Sequence, residues 1–138
     1  MLFRSPAVIA DAARGDVETP LVLAADDDPD ILALVRFRLS RAGFRVVTAA
    51  DGGEALALAS VHSFDLAVLD VTMPVLSGLE VAQALRARGS DLPVMLLTAR
   101  ARQEDVAEGE GAGAVSYMTK PFSPQELERR VWQLVGRG

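Results

Sequence analysis

Four aspartates, a threonine and a lysine stand where this chain could do chemistry. Asp26, Asp27 and Asp28 follow the apolar run Leu21-Val22-Leu23-Ala24-Ala25, and Asp70 closes Leu66-Ala67-Val68-Leu69. Thr98 closes Val94-Met95-Leu96-Leu97, and Lys120-Pro121 follows residues 115–119. Short apolar runs between turn signals read as strands buried on both faces. In an open parallel α/β sheet, ligands sit beyond the carboxyl ends of the strands, where the strand order reverses. Carboxylates, one hydroxyl and one ammonium then converge on one crevice. Carboxylates this close repel unless a cation or a shared proton intervenes. The donors are hard oxygens with no His or Cys nearby in sequence, so Mg²⁺ is the natural ion, with Mn²⁺ as its substitute. A carboxylate beside such an ion can attack phosphorus and become an aspartyl phosphate. The metal and Lys120 would offset charge on the phosphoryl oxygens, and the Thr98 hydroxyl could donate to one of them.

The elements that must position these residues are legible. Asp28-Pro29 gives an N-cap followed by proline in the first helical turn. Ile31, Leu32, Val35 and Leu39 then form a helical stripe that Gly43 ends. Residues 45–49 read as a second strand. Asp51 with Glu54 and Ser77 with Glu80 read as capping boxes, opening helices through Ser60 and through Leu85. Ser123-Pro124-Gln125-Glu126 opens a last helix with Leu127, Val131, Leu134 and Val135 on one stripe. Five apolar strands alternating with five helices imply an α/β fold, a doubly wound parallel sheet covered on both faces. The segment 102–112, between the fourth and fifth strands, is the weak helix. It holds Gly109 and Gly111 and few apolar positions, and an interior glycine costs about 1 kcal/mol relative to alanine.

Composition narrows the classes. The chain has 138 residues, half of them apolar, enough for one core and too few for two full domains. Its net charge of −5 repels phosphate backbones and argues against direct nucleic-acid binding. With no cysteine, disulfides, thiolate metal sites and thiol catalysis are excluded. No apolar run approaches the roughly 20 residues of a membrane span, and the N-terminus makes a poor signal peptide. The expectation is a cytoplasmic protein without membrane contact. Residues 1–20 mix small, charged and proline residues without a period and read as a flexible leader, with one folded domain over 21–138.

Taken in order, Leu23-Ala24-Ala25-Asp26-Asp27-Asp28-Pro29, Leu69-Asp70-Val71-Thr72-Met73-Pro74, Leu97-Thr98-Ala99 and Thr119-Lys120-Pro121-Phe122 resemble the receiver domain of two-component response regulators. Each motif alone is weak, but four in order, each after its own strand, are specific. The resemblance runs from Leu21 to about Val135. It implies a flavodoxin-like (βα)5 fold with strand order 2-1-3-4-5. It implies that Asp70 is the phosphoacceptor and that Asp26, Asp27, Asp70 and the Thr72 backbone carbonyl hold Mg²⁺. Lys120 would pair with the phosphoryl group, its bond to Pro121 being cis. Thr98 would swing toward the phosphoryl group, and Tyr117 matches the aromatic switch position that turns inward with it. Thr72 and Arg100 occupy positions that tune dephosphorylation. The donor would be a sensor histidine kinase or a histidine phosphotransfer protein. The product would be a signalling phosphoprotein with its own autophosphorylation and autodephosphorylation chemistry, not an enzyme turning over free substrate.

Some positions depart from the pattern. Ser77 stands where aspartate is frequent, and Gly113-Ala114-Val115-Ser116 precedes Tyr117 where acidic residues are usual. Glu110 and Gly111 replace bulky apolar residues. These departures leave room for a homodimer but not for assuming the usual one. Two competing functions are a phosphorylation-independent pseudo-receiver that only binds partners, and a phosphatase of the haloacid dehalogenase type. The first should lack some of the site residues, all of which are present. The second wants an aspartate two residues past the nucleophile, where Thr72 stands. Elsewhere, Asp28 reads as a helix cap and His62 as a surface residue. Trp132 reads either as edge packing or as part of a partner surface.

Overall fold

A computed structural model describes residues 19–99, 111 and 113–136. The elements run β1 (Leu21–Ala25), α1 (Pro29–Arg41), β2 (Arg45–Ala49), α2 (Gly52–Val61), β3 (Leu66–Asp70), α3 (Gly78–Ala87), β4 (Val94–Thr98), β5 (Ala114–Thr119) and α4 (Pro124–Leu134). The weak segment 102–112 lies, Gly111 apart, outside the described residues, as do residues 1–18 and Arg100. Every strand pair is parallel, in the order β2-β1-β3-β4-β5. The order therefore reverses between β1, which Asp26 follows, and β3, which ends in Asp70.

Side chains alternate across a strand, so each apolar run feeds two cores. Leu23, Ala25, Leu69 and Leu96 face Val81, Ala82 and Leu85 of α3. Val22, Ala24, Val68 and Leu97 face Val35 and Leu39 of α1 and Leu127 and Val131 of α4. β3 and β4 are buried throughout, as central strands must be, whereas β2 at the edge is mostly half-buried.

Local chemistry sets where the helices start and stop. The Asp28 side chain accepts from the N–H groups of Asp30 (2.9 Å) and Ile31 (3.4 Å), with Pro29 following in the first turn. At the other end of α1, Gly43 has φ +106, a value that favours glycine. It allows Phe44 N–H to reach the Leu39 carbonyl and Gly43 N–H the Ser40 carbonyl, a Schellman closure. Phe44 then packs on Trp132, their centroids 4.3 Å apart, and the Trp132 indole N–H donates to the Ala42 carbonyl at 3.2 Å. Trp132 thus packs at the edge of the core. Ser77 and Glu80 form a complete reciprocal capping box on α3. Ser123 caps α4, but the Glu126 carboxylate turns away from the cap to Arg129 and Arg130.

The β4–β5 pairing has one irregularity, Val94 facing Ala114 and Met95 facing Ser116. β5 therefore begins one residue earlier than its apolar run suggests. Arg130 holds it from α4 through the Ser116 hydroxyl (2.8 Å) and the Tyr117 carbonyl (3.0 Å).

Candidate functional site

The fold carries Asp26, Asp70, Thr98 and Lys120 to the carboxyl edge of the sheet, at the switch in strand order. Asp26 and Asp70 are 2% and 5% exposed, a costly burial for two carboxylates. Asp27, next to Asp26, is exposed. One carboxylate oxygen from each of Asp26, Asp27 and Asp70 lies within 4.8 Å of the other two. Lys120 bridges the buried pair, with Nζ 3.0 Å from Asp26 Oδ2 and 3.3 Å from Asp70 Oδ1. The ladder fixes its base, because Lys120 N–H donates to the Thr98 carbonyl at 2.8 Å. The Lys120–Pro121 bond is cis.

Each carboxylate is aimed by backbone. Asp28 N–H donates to Asp26 Oδ1 at 2.9 Å, so the residue that caps α1 also orients the first acid. The Thr72 N–H faces the Asp70 carboxylate and favours its charged form. Gly78 must come close to Asp70: a Cβ there would stand 2.4 Å from the Asp70 carbonyl oxygen. Thr98 is buried at the end of β4. Tyr117 is half-buried on β5 and packs against the core shared by α2 and α3. Thr72 is exposed just past Asp70. His62 is exposed and stands beside Phe64.

The electrostatics are unbalanced. Burial, and then the negative charge of Asp26, push the Asp70 carboxyl from 3.8 up to about 6, against the pull of Lys120 and the Thr72 N–H. Burial alone would lower Lys120, but its bonds and charge contacts with Asp26 and Asp70 outweigh that and raise it. Asp26 Oδ2 is buried and, despite the nearby ammonium, makes no hydrogen bond of acceptable geometry. Among the described residues, one cation thus faces three carboxylates, and one buried acceptor oxygen lacks a hydrogen bond. That donor set suits a small hard divalent ion of the Mg²⁺ class. The group is able to bind such an ion, and Asp70 presents an oxygen that could act as a nucleophile.

The sequence of residues 22–132 matches the family described as Response regulator receiver domain. The chain belongs to that family. Transcriptional regulatory protein PrrA of Mycobacterium tuberculosis is 47% identical over 121 residues, 88% of this chain and 52% of PrrA. The chain thus spans about half the length of the curated relatives it matches. Among solved structures, the receiver domain of the Francisella response regulator 1452 is 38% identical with a TM-score of 0.82, covering 86% of this receiver and 98% of that one. The receiver domain of the Pseudomonas aeruginosa sensor histidine kinase PA1611, solved with magnesium coordinated in its active-site cleft, is 31% identical with a TM-score of 0.78, covering 86% and 99%. This receiver has the flavodoxin-like fold of two-component response regulators. Among its described residues, no helix is long and apolar enough to cross a membrane.

Three features of the site had no sequence signal strong enough to find them. Asp28 reads as a cap, and its N–H on Asp26 follows only from the turn geometry. Gly52 and Gly53, after the Asp51 cap, look like weak helix starters, yet residues 74–76 pack directly on them. Val75 has φ +71, which no β-branched residue advertises in sequence.

Proposed function

We propose that this receiver is a switch whose Asp70 accepts a phosphoryl group from a phosphohistidine donor. The donor class is a sensor histidine kinase or a histidine phosphotransfer protein, acting in the cytoplasm. The observation that carries the reading is the clustering of three carboxylates around one another with Lys120 bridging Asp26 and Asp70.

An Asp70 oxygen forms the new bond to phosphorus as the donor's phosphorus–nitrogen bond breaks and the imidazole leaves. Lys120 Nζ already lies 3.3 Å from Asp70 Oδ1, and its ammonium would offset the added negative charge. Asp26, Asp27, Asp70 and the Thr72 carbonyl would hold Mg²⁺, a role that magnesium in the PA1611 receiver supports. When bound, that ion would neutralise phosphoryl oxygen charge. The Thr98 hydroxyl would donate to a phosphoryl oxygen, and Tyr117 would follow it inward. Moving a two-state equilibrium from about 1:99 to 99:1 takes about 5.5 kcal/mol of preference for one state. A dianion placed beside Lys120 and Thr98 is a source of that preference. The reading makes the chain a phosphoacceptor without turnover of a free substrate. Any effect on transcription would belong to the region or partner that the receiver controls.

Incubation with acetyl phosphate and Mg²⁺ should add one phosphoryl mass to the intact chain, and Asp70→Asn should abolish it. A wild-type chain that gains no mass, and binds no beryllofluoride, would overturn the proposal.

A further inference from the structure

The stretch 71–77, between Asp70 and α3, is held at two places. Its neck is closed by Gly78 N–H, which donates to the Val71 carbonyl at 3.0 Å. Its tip rests on the first turn of α2, where Gly52 N–H donates to the Pro74 carbonyl at 3.2 Å. A Cβ on Gly52 would stand 1.9 Å from the Leu76 carbonyl oxygen, so backbone meets backbone there. Between these points sits Val75, with φ +71 and 76% exposed.

Leu76 N–H also donates to the Pro74 carbonyl, at 2.8 Å. Residues 74–76 thus close a γ-turn of the positive-φ form, which is rare and strained. A β-branched residue is a poor fit to that backbone. Its side chain gains little burial in return. What it does have is a seat: a Cβ on Gly53 would fall 2.9 Å from Val75 Cγ1, so the valine lies directly over that glycine. Strain of this kind persists where the surroundings over-determine it. The same stretch carries Thr72, whose N–H faces the Asp70 carboxylate and favours its charged form.

We infer that Val75 is a positioning residue for the phosphorylation proposed above: its left-handed turn, seated on Gly53, holds the Thr72 peptide against Asp70. The inference rests on that reading of Asp70. Glycine adopts positive φ without strain. Val75→Gly therefore relieves the backbone while removing the seat, and stability and site performance move in opposite directions. A residue with a merely structural role would move both the same way.

The test compares the wild-type chain with Val75→Gly, Gly53→Ala and the double variant. It reads urea midpoints, the rate of phosphorylation by acetyl phosphate with Mg²⁺, and hydrogen exchange at the Thr72 amide. Val75→Gly should keep or raise the midpoint while slowing phosphorylation by about three- to tenfold, the scale of a modest misplacement. Exchange at Thr72 should quicken by about the same factor as its local protection is lost. Gly53→Ala sets a methyl group against Val75 Cγ1 and should also slow the reaction. The double variant should be no slower than Val75→Gly, because the methyl then meets no valine. Unchanged rate and Thr72 exchange in Val75→Gly, additive effects in the double variant, or a lowered midpoint accompanying the slower rate would each overturn the inference. Should the wild-type chain accept no phosphoryl group, the reading of Asp70 fails by itself. Thr72 exchange then decides alone, faster exchange in Val75→Gly supporting the positioning and unchanged exchange overturning it.

Discussion

The two ends of the sheet are built to opposite standards. At the amino end, orphan carbonyls and amides find partners. Arg86 of α3 donates to the carbonyls of Ser90 and Leu92, each at 2.7 Å, and of Gly113 at 2.9 Å. Arg45 donates twice to the Thr19 carbonyl, and Leu21 N–H reaches Asp65 Oδ2 at 2.8 Å. At the carboxyl end, two buried carboxylates share one ammonium, a buried oxygen lacks a hydrogen bond, and a valine is held at positive φ. Stability is concentrated where nothing needs to change, and unmet interactions are concentrated where a ligand is to arrive. Satisfying the carboxyl end within the chain would leave a cation or a phosphoryl group little to add.

Breaking the amino end should give the largest effect on folding. Arg86→Ala removes three charge-assisted hydrogen bonds and leaves half-buried carbonyls without them. It should destabilise by about 3 kcal/mol in urea melts, with Asp70 still phosphorylated at temperatures where the variant is folded. A loss under about 1 kcal/mol would mean that water replaces Arg86 without cost, and that the amino end is not the stable one.

The carboxyl end should respond with the opposite sign. In Mg²⁺-free buffer at neutral pH, Asp70→Asn should stabilise the fold by about 1–2 kcal/mol, because it deletes a carboxylate raised by burial and by Asp26. The same cause predicts a pH dependence. A group whose folded value is raised, here from 3.8 to about 6, binds its proton more tightly when folded. Its favourable contribution is complete below the unfolded value and is lost as pH rises through about 6. Melts from pH 4 to 7 should therefore show the wild type losing stability relative to Asp70→Asn. Parallel curves would show that the repulsion at Asp70 is already relieved within the chain.

The contrast also divides what the sequence discloses from what it hides. Elements made by near neighbours are legible. The runs at β1, β3 and β4 read as strands because both faces are buried, and Asp28, Asp51, Ser77 and Ser123 mark helix starts within a residue. The acids of the site are legible too, because each stands at the end of its own strand. Contacts that depend on distant approach are not. Arg86 meets Gly113 across 27 positions, and only the φ of +90 and the lack of a side chain at Gly113 let the guanidinium pass. The seat of Val75 on Gly53 joins a loop and the first turn of α2, whose sequences say nothing of one another. The start of β5 is misjudged by a residue because the irregular pairing at Val94–Met95 belongs to two strands, not to one run.

The most direct test of this contrast is a pair of urea melts with and without Mg²⁺ at neutral pH, on the wild type and on Asp70→Asn. If carboxylate repulsion at the strand ends is what a cation relieves, Mg²⁺ should raise the wild-type midpoint and leave Asp70→Asn nearly unmoved, closing the gap between them. Equal shifts in both proteins, or no shift in the wild type, would contradict it.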